Sequence, residues 1–437
     1  MKATNIHLPI SRREFLQAGS IGAAASMFPH KIFGGEAKSK IVPITKEPVP
    51  IIIFWLSGGA SHFDSFDPRE NSAPERSRGP FKSIPTTKPG IYVSELLPNM
   101  ATNMGNVALF KNIYHTQGDH NMAAGLCLTG NEEVNRSIGN DLTHPPRYND
   151  GFGITYAKHL RSERDTNTSG YLILNTFDEI DIWGTIQSDH REAFLVGCDL
   201  ETNQYNSPFG TLSDEATIAA RRSLSKQLGT ALSGRKIKDY EVLESRAEAL
   251  LSNKRVHEAF NIEKEPQNIR ERYGDNPLGN AALIARRMVT RNFPLVFIND
   301  GFWDSHYNIS LELKELLPRL DQALSAIIEE QKELGFPCTI VVASEFGRTP
   351  LLNSNKLPTG ISPGRDHWPY SNFMLLAGTN INGGTVIGKV NNAGYIVGND
   401  GEYNAEYMGE TFLNLAGYAR LDSKGKRFPS MPIPFAK

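Results

Sequence analysis

The chain has 437 residues, 39% hydrophobic and 22% charged, an ordinary globular composition with material for one large domain or two smaller ones. A formal net charge of −2, with no basic stripe interleaved with aromatics, gives no electrostatic basis for nucleic acid as a partner. Three cysteines, Cys127, Cys198 and Cys338, without CxxC spacing argue against a disulfide framework and against haem or iron–sulfur attachment.

In chain order, the first feature is "SRREFLQAGSIGAAAS", in which Arg12 and Arg13 precede Phe15, Leu16 and a mildly apolar Gly/Ala stretch. This order resembles a twin-arginine export signal. Cleavage is expected after Ala37, leaving residues 38–437 as the mature chain, delivered by the twin-arginine machinery to the periplasm or beyond. The bland alternative is an amphipathic N-terminal helix that carries two arginines. The stretch falls short of the about 20 apolar residues of a spanning helix, and no transmembrane helix is expected in the mature chain.

"EPVPIIIFWLSGG" then gives a short apolar run bounded by Pro and Gly, the pattern of a buried parallel strand. Further strands are predicted at Val107–Phe110, Tyr171–Asn175, Pro294–Asn299, Thr339–Ser344 and Phe373–Ala377. Residues 212–291 are helical in pattern, heavily charged and without strand signals, which predicts a helical insertion packed on the sheet domain. From Leu313 to Leu334, leucines and isoleucines recur at helical spacing, and Gly335 and Pro337 end the helix. Pro318 is expected to kink it or to split off its first turn. Strand, helix, strand predicts a right-handed parallel crossover, with "DGFWDSH" and "SEFGRTP" leaving the sheet from one edge, where open α/β sheets bind ligands.

Acids and histidines gather in these strand-end segments. Asp304 and His306 stand at i and i+2, as do His62 and Asp64, so either pair in an extended segment could face one metal ion. Asp119 and His120 open a helix predicted from about Met122 to Leu128. Glu345 and Arg348 follow the next strand, and Arg365, Asp366 and His367 lie in "GRDHWP". Oxygen and imidazole ligands without thiolates suit Zn, Mn, Mg or Ca. Asp366 and His367 face opposite ways in an extended segment, so His367 is the expected ligand, with Asp366 or a backbone carbonyl orienting a neighbour. Arg348 and Arg365 are candidates to clamp an anionic substrate through forked hydrogen bonds, or else surface ion pairs.

The stretches "GGASHFDSFDP", "GDHNMAAGLCLTG", "ALLSNKRVHEAFNIEKEPQNIRERYG", "NPLGNAALIARRMV", "GFWDSHYN", "SEFGRTP" and "GRDHWP" resemble, in order, a bacterial family known as domain of unknown function 1501. That family is grouped with the sulfatases in the alkaline phosphatase-like superfamily. The resemblance implies an α/β fold, alkaline phosphatase/sulfatase-like, with a mostly parallel central sheet flanked by helices. It implies two metals flanking a Ser, Thr or Cys nucleophile that opens a helix ending in Thr-Gly. Counting back from Thr129-Gly130, His120 holds the nucleophile's place. "SEFG" is similar to the superfamily's Ser-Asp-His-Gly, with Glu345 for a metal-binding aspartate and Phe346 for a metal-binding histidine. The aspartate that normally ends the first strand is missing from "WLSGG".

The expectation is an exported metal-dependent hydrolase of a phosphate or sulfate ester, on a small molecule or a polysaccharide. Asp304, His306 and His367 would hold the metal, with Glu345 and His62 or Asp64 completing it. His120 would be nucleophile or ligand, and Arg348 and Arg365 would grip the ester. The alternative from another class is a non-catalytic sulfatase-like module that binds an anionic polysaccharide or a protein partner.

Overall fold

The computed structural model describes residues 40–68, 77–130, 151–164, 170–177, 193–205, 254–353, 357 and 359–435. The expected signal at residues 1–37 and residues 212–253 of the expected insertion lie outside them. β1 (Ile51–Leu56) is six successive buried apolar residues. Such a run suits only a strand covered on both faces, and β1 lies at the centre of a 10-stranded sheet. Its partners are β2 (Val107–Tyr114), β3 (Tyr171–Asn175), β4 (Ala193–Asp199), β5 (Gln204–Tyr205), β6 (Leu295–Asp300), β7 (Thr339–Ala343), β8 (Asn372–Gly378), β9 (Thr385–Ile387) and β10 (Tyr403–Asn404).

Across the sheet the order is β9-β2-β8-β7-β1-β6-β3-β4-β5, with β10 also paired to β2. β7, β1, β6, β3 and β4 run parallel. β8 is antiparallel to both its neighbours, and β5 to β4. Alternate residues feed two cores. Ile52, Phe54 and Leu56 face one with Val296, Ile298, Ile340 and Val342. Ile51, Ile53 and Trp55 face the other with Leu295, Phe297, Val341 and Ala343.

The first core is covered by α1 (Pro98–Asn103), α4 (Lys254–Phe260), α6 (Pro277–Val289) and α7 (Ile309–Leu334), with α5 (Gln267–Tyr273) packed between α6 and α7. The second is covered by α2 (His120–Thr129), α3 (Phe152–Arg164) and α8 (Met408–Leu415). The result is α/β, a mostly parallel sheet between helical layers. The described part of the expected insertion, residues 254–291, is helical. No helix of the described residues is long and apolar enough to cross a membrane.

β6, α7 and β7 form the predicted crossover, with β1 inserted between the two strands. α7 runs unbroken through Pro318 for 26 residues, against the expectation of a split; its buried leucine stripe holds it to the sheet on both sides of the proline. The short strands β5, β9 and β10 have no counterpart in the sequence reading, because two or three edge residues carry no periodicity.

α6 is anchored by Glu265, which lies between Arg286, at 3.0 Å, and Arg287. Burial opposes charge on Glu265, but the two arginines outweigh it and hold the carboxyl below its ordinary 4.5. A depressed carboxylate pKa adds stability above the unfolded-state value, and that stability is lost as pH falls through the folded value. Glu265→Gln should therefore cost about 1–3 kcal/mol in urea unfolding at neutral pH, and the difference from wild type should shrink once pH falls below the ordinary 4.5.

Candidate metal centre

β1, β6 and β7 are adjacent and parallel, so the loops at their carboxyl ends leave one edge together. The loop after β1 contains Gly58 and Gly59, at φ +115° and +83°. A Cβ on Gly58 would lie 2.5 Å from the backbone N of Asp304, and one on Gly59 the same distance from the Phe346 ring. Only glycine lets the three loops touch. The loop after β6 is fixed by buried Asp300, which accepts from Thr176 Oγ1 at 2.7 Å, Arg319 Nη2 at 2.9 Å and Trp303 Nε1 at 2.8 Å. Between Asp300 and Trp303, Phe302 is 65% exposed with φ +74°, its ring centroid 5.9 Å from that of Phe177.

This scaffold gathers three imidazoles on the Asp304 carboxylate. His306 Nε2 lies 3.1 Å and His367 Nε2 3.2 Å from Oδ1, and His120 Nε2 lies 3.4 Å from Oδ2. Every Nδ1 is turned outward to an acceptor: Asp366 Oδ1 at 2.7 Å for His306, the Gly118 carbonyl at 2.6 Å for His367, and Glu345 Oε1 at 2.9 Å for His120. With Nδ1 donating to its outer acceptor, each ring in its neutral form turns the Nε2 lone pair toward Asp304. This is the outer-shell arrangement that orients metal-binding histidines. His306 Nε2 and His367 Nε2 are 2.9 Å apart. Two lone pairs do not face each other at that distance without a proton or a cation between them.

Among the described residues, His120, Asp304 and His367 are close enough to share one ion, and His306 borders them through Asp304 and His367. Burial works against charge on His120, but its hydrogen bonds to Asp304 and Glu345 outweigh it and raise its pKa from 6.5 to about 9. Asp304 moves the other way. Burial would raise its pKa, but His120, His367 and Arg348 hold it well below the usual carboxylate range. The cluster therefore retains positive charge around an ionised carboxylate, and Asp304 keeps a third of its side chain open to solvent.

The other sequence candidates lie elsewhere. Glu345 is buried, with Oε1 accepting hydrogen bonds from His120 Nδ1 and from the Gly58 backbone N at 2.7 Å, so it supports His120 from behind. Arg348 is fully buried and faces inward: it donates to the carbonyls of Gly58, Gly59 and Arg365 and to Asp304 Oδ1 at 2.5 Å. Arg365 is also fully buried. Its five N–H groups are spent on Asp64, at 2.7 and 3.2 Å, and on the carbonyls of Ser77, Thr349 and Pro350. Neither arginine can grip a substrate from these positions, which corrects the expected clamp. Asp64 is consumed by Arg365 and by Ser61 Oγ at 2.5 Å. His62 is buried against the Phe63 ring, with Nε2 3.3 Å from Ser371 Oγ. Neither meets Asp304, so the expected first-strand ligands are corrected too.

The sequence reading missed the Gly118 carbonyl, Asp300 and His115. His115 Nε2 donates to the Glu345 carbonyl at 2.7 Å, and burial lowers its pKa to about 4. A carbonyl leaves no mark in a sequence. Asp300 was visible as a carboxylate ending an apolar strand.

The described residues thus form an α/β protein whose strand ends gather an imidazole-rich cluster around Asp304. The chain belongs to the DUF1501 family, described as protein of unknown function, whose family model matches residues 50–420. No curated protein matches the sequence. Solved structures similar to it include the PsFucS1 sulfatase from Pseudoalteromonas sp., 13% identical with a TM-score of 0.40 over 85% of this chain and 68% of that one. Another is the alkaline phosphatase from the Antarctic bacterium TAB5, 13% identical with a TM-score of 0.37 over 85% and 99% of the two chains. A third is the C-terminal periplasmic domain of EcEptC from Escherichia coli in complex with Zn, 11% identical with a TM-score of 0.37 over 87% and 86%.

The Arg365–Asp64 pair is wholly buried. Arg365→Met strands that carboxylate and should cost about 3–5 kcal/mol in chemical unfolding. The metal content of the folded fraction should not change, whereas loss of metal would restore Asp64 or Arg365 to the site.

Proposed function

We propose that the protein is an exported, metal-dependent hydrolase of a phosphate or sulfate ester, in which His120, Asp304, His306 and His367 hold one divalent ion. The observation that carries this reading is the convergence of three Nε2 atoms on one carboxylate, with each Nδ1 tied back to an acceptor. Three imidazoles and one carboxylate fit Zn or another late first-row ion, and fit Ca and Mg poorly, since those take oxygen ligands. Such an ion would supply Lewis-acid polarisation of the ester and make water a nucleophile near neutral pH.

The chain's own groups divide the remaining work. His120 stands at the start of α2, where the resemblance places a nucleophile, yet its two nitrogens face Glu345 and Asp304. It acts as a ligand in this reading. Glu345 fixes its tautomer, Asp366 and the Gly118 carbonyl do the same for His306 and His367, and Arg348 keeps Asp304 ionised. Attack then falls to water arriving from the solvent side of Asp304. Export by the twin-arginine route rests on the order of residues 12–37.

Elemental analysis of protein purified from its export compartment without chelator should find one equivalent of a transition metal. Asp304→Ala and His367→Ala should lose it with an unchanged circular dichroism spectrum, and Glu345→Gln should weaken affinity about 10–100-fold. Unchanged metal in the first two variants overturns the ligand assignment. Metal with no turnover of aryl phosphate or aryl sulfate, in a protein that binds either ester, favours a non-catalytic module. Arg12→Lys with Arg13→Lys should leave the chain in the cytoplasm; export of that double variant removes the twin-arginine route.

A further inference from the structure

One residue beyond the ligand His367, three aromatic rings meet at the protein surface. Trp368 lies 4.9 Å from Tyr370 and 5.3 Å from Tyr395, and the two tyrosines are 5.9 Å apart, all between ring centroids. Tyr370 is 42% and Tyr395 49% exposed. Folding gains about 1.5–3 kcal/mol by burying a large apolar side chain, so three clustered rings left at the surface forgo a real gain. Contiguous exposed apolar surface of this kind marks a binding site.

The rings are also held in place. Trp368 Nε1 donates to the Gly394 carbonyl at 2.7 Å. Gly394 has φ +81°, and a Cβ there would lie 2.8 Å from Trp368 Nε1 and 2.9 Å from Pro350. Only glycine allows the turn to press against the indole edge. That turn, between short strands Lys389–Val390 and Ile396–Val397, is closed by Asn391 N to the Tyr395 carbonyl at 2.9 Å, while Asn391 Oδ1 takes Tyr395 N at 3.1 Å. Tyr370 follows Pro369, whose carbonyl accepts from the His115 backbone N at 3.0 Å. Residues His367–Trp368 pair with Gly347–Arg348, so their side chains leave opposite faces of one two-stranded ribbon.

We propose that the exposed rings of Tyr370 and Tyr395, backed by the edge-on Trp368, form a stacking platform for the pyranose ring of an oligosaccharide. The stacking stands on the rings alone and does not depend on the hydrolase reading above. A pyranose presents a face of C–H groups and an edge of hydroxyls, and it matches rings with an apolar face and a polar rim. Lipid chains would call for aliphatic side chains instead. A stacked nucleobase would need basic groups along its backbone, whereas the hairpin of residues 389–397 carries a single basic residue, Lys389.

The test is a glycan array of neutral, sulfated and phosphorylated oligosaccharides probed with the full chain. The strongest binder and its ester-free counterpart would then be titrated by tryptophan fluorescence. The ester-free sugar should bind wild type and Asp304→Ala alike, and Tyr370→Ala with Tyr395→Ala should weaken it about tenfold or more. Both tyrosines face solvent, so the double variant should keep the wild-type circular dichroism spectrum, and Trp368→Phe should weaken binding less. Absence of binding to every glycan, or unchanged affinity in the double variant, overturns the platform. Binding that depends on Asp304 and ignores the tyrosines overturns it while leaving the hydrolase intact. Binding that depends on the tyrosines, in a chain that hydrolyses no ester, keeps the platform and removes the hydrolase.

Discussion

The Asp304 carboxylate is surrounded by three imidazole nitrogens and one buried guanidinium, and the edge of the sheet is arranged to keep it there. An ionised carboxylate beside a low-dielectric interior requires positive charge nearby. Arg348 supplies part of it while tying the loop after β1 to the loop after β7 through the Gly58 and Gly59 carbonyls. The charge balance and the loop architecture are thus one device. A guanidinium this deeply buried is tolerable because backbone carbonyls occupy the donors that the carboxylate leaves over.

His120 illustrates how a helix start constrains the chemistry available to it. The N-terminus of α2 carries partial positive charge, and the Asp304 and Glu345 carboxylates facing His120 outweigh it. Asp119 caps the helix by accepting from Met122 N at 3.0 Å, leaving the His120 ring to turn toward Asp304 and Glu345. A hydroxyl at this position would be too short to make both contacts. The geometry explains why a histidine here joins the cluster around Asp304.

Much of this was legible in the sequence where periodicity or spacing spoke. The apolar run of β1, the strand–helix–strand crossover around α7 and the i, i+2 spacing of Asp304 and His306 each express a local rule. What failed to show was burial. Arg348 and Arg365 look alike in a sequence to arginines that face solvent, and only three-dimensional packing reveals that carbonyls use up their donors. Asp64 looked like a partner for His62 because the two are neighbours in the chain; its true partner lies about 300 positions away. Glu345 was recognised as part of the site, but its hydrogen bond to His120 Nδ1 depends on packing that its place in the sequence does not show.

Phe302 carries a different lesson. Its left-handed backbone costs a bulky L-residue roughly 1–2 kcal/mol that glycine would not incur, and its ring is spread over solvent. Selection for heat resistance alone would favour glycine there, which adopts this backbone without the cost. The loop after β6 is therefore where a thermostabilised descendant of this protein would first diverge, trading a strained turn for a relaxed one.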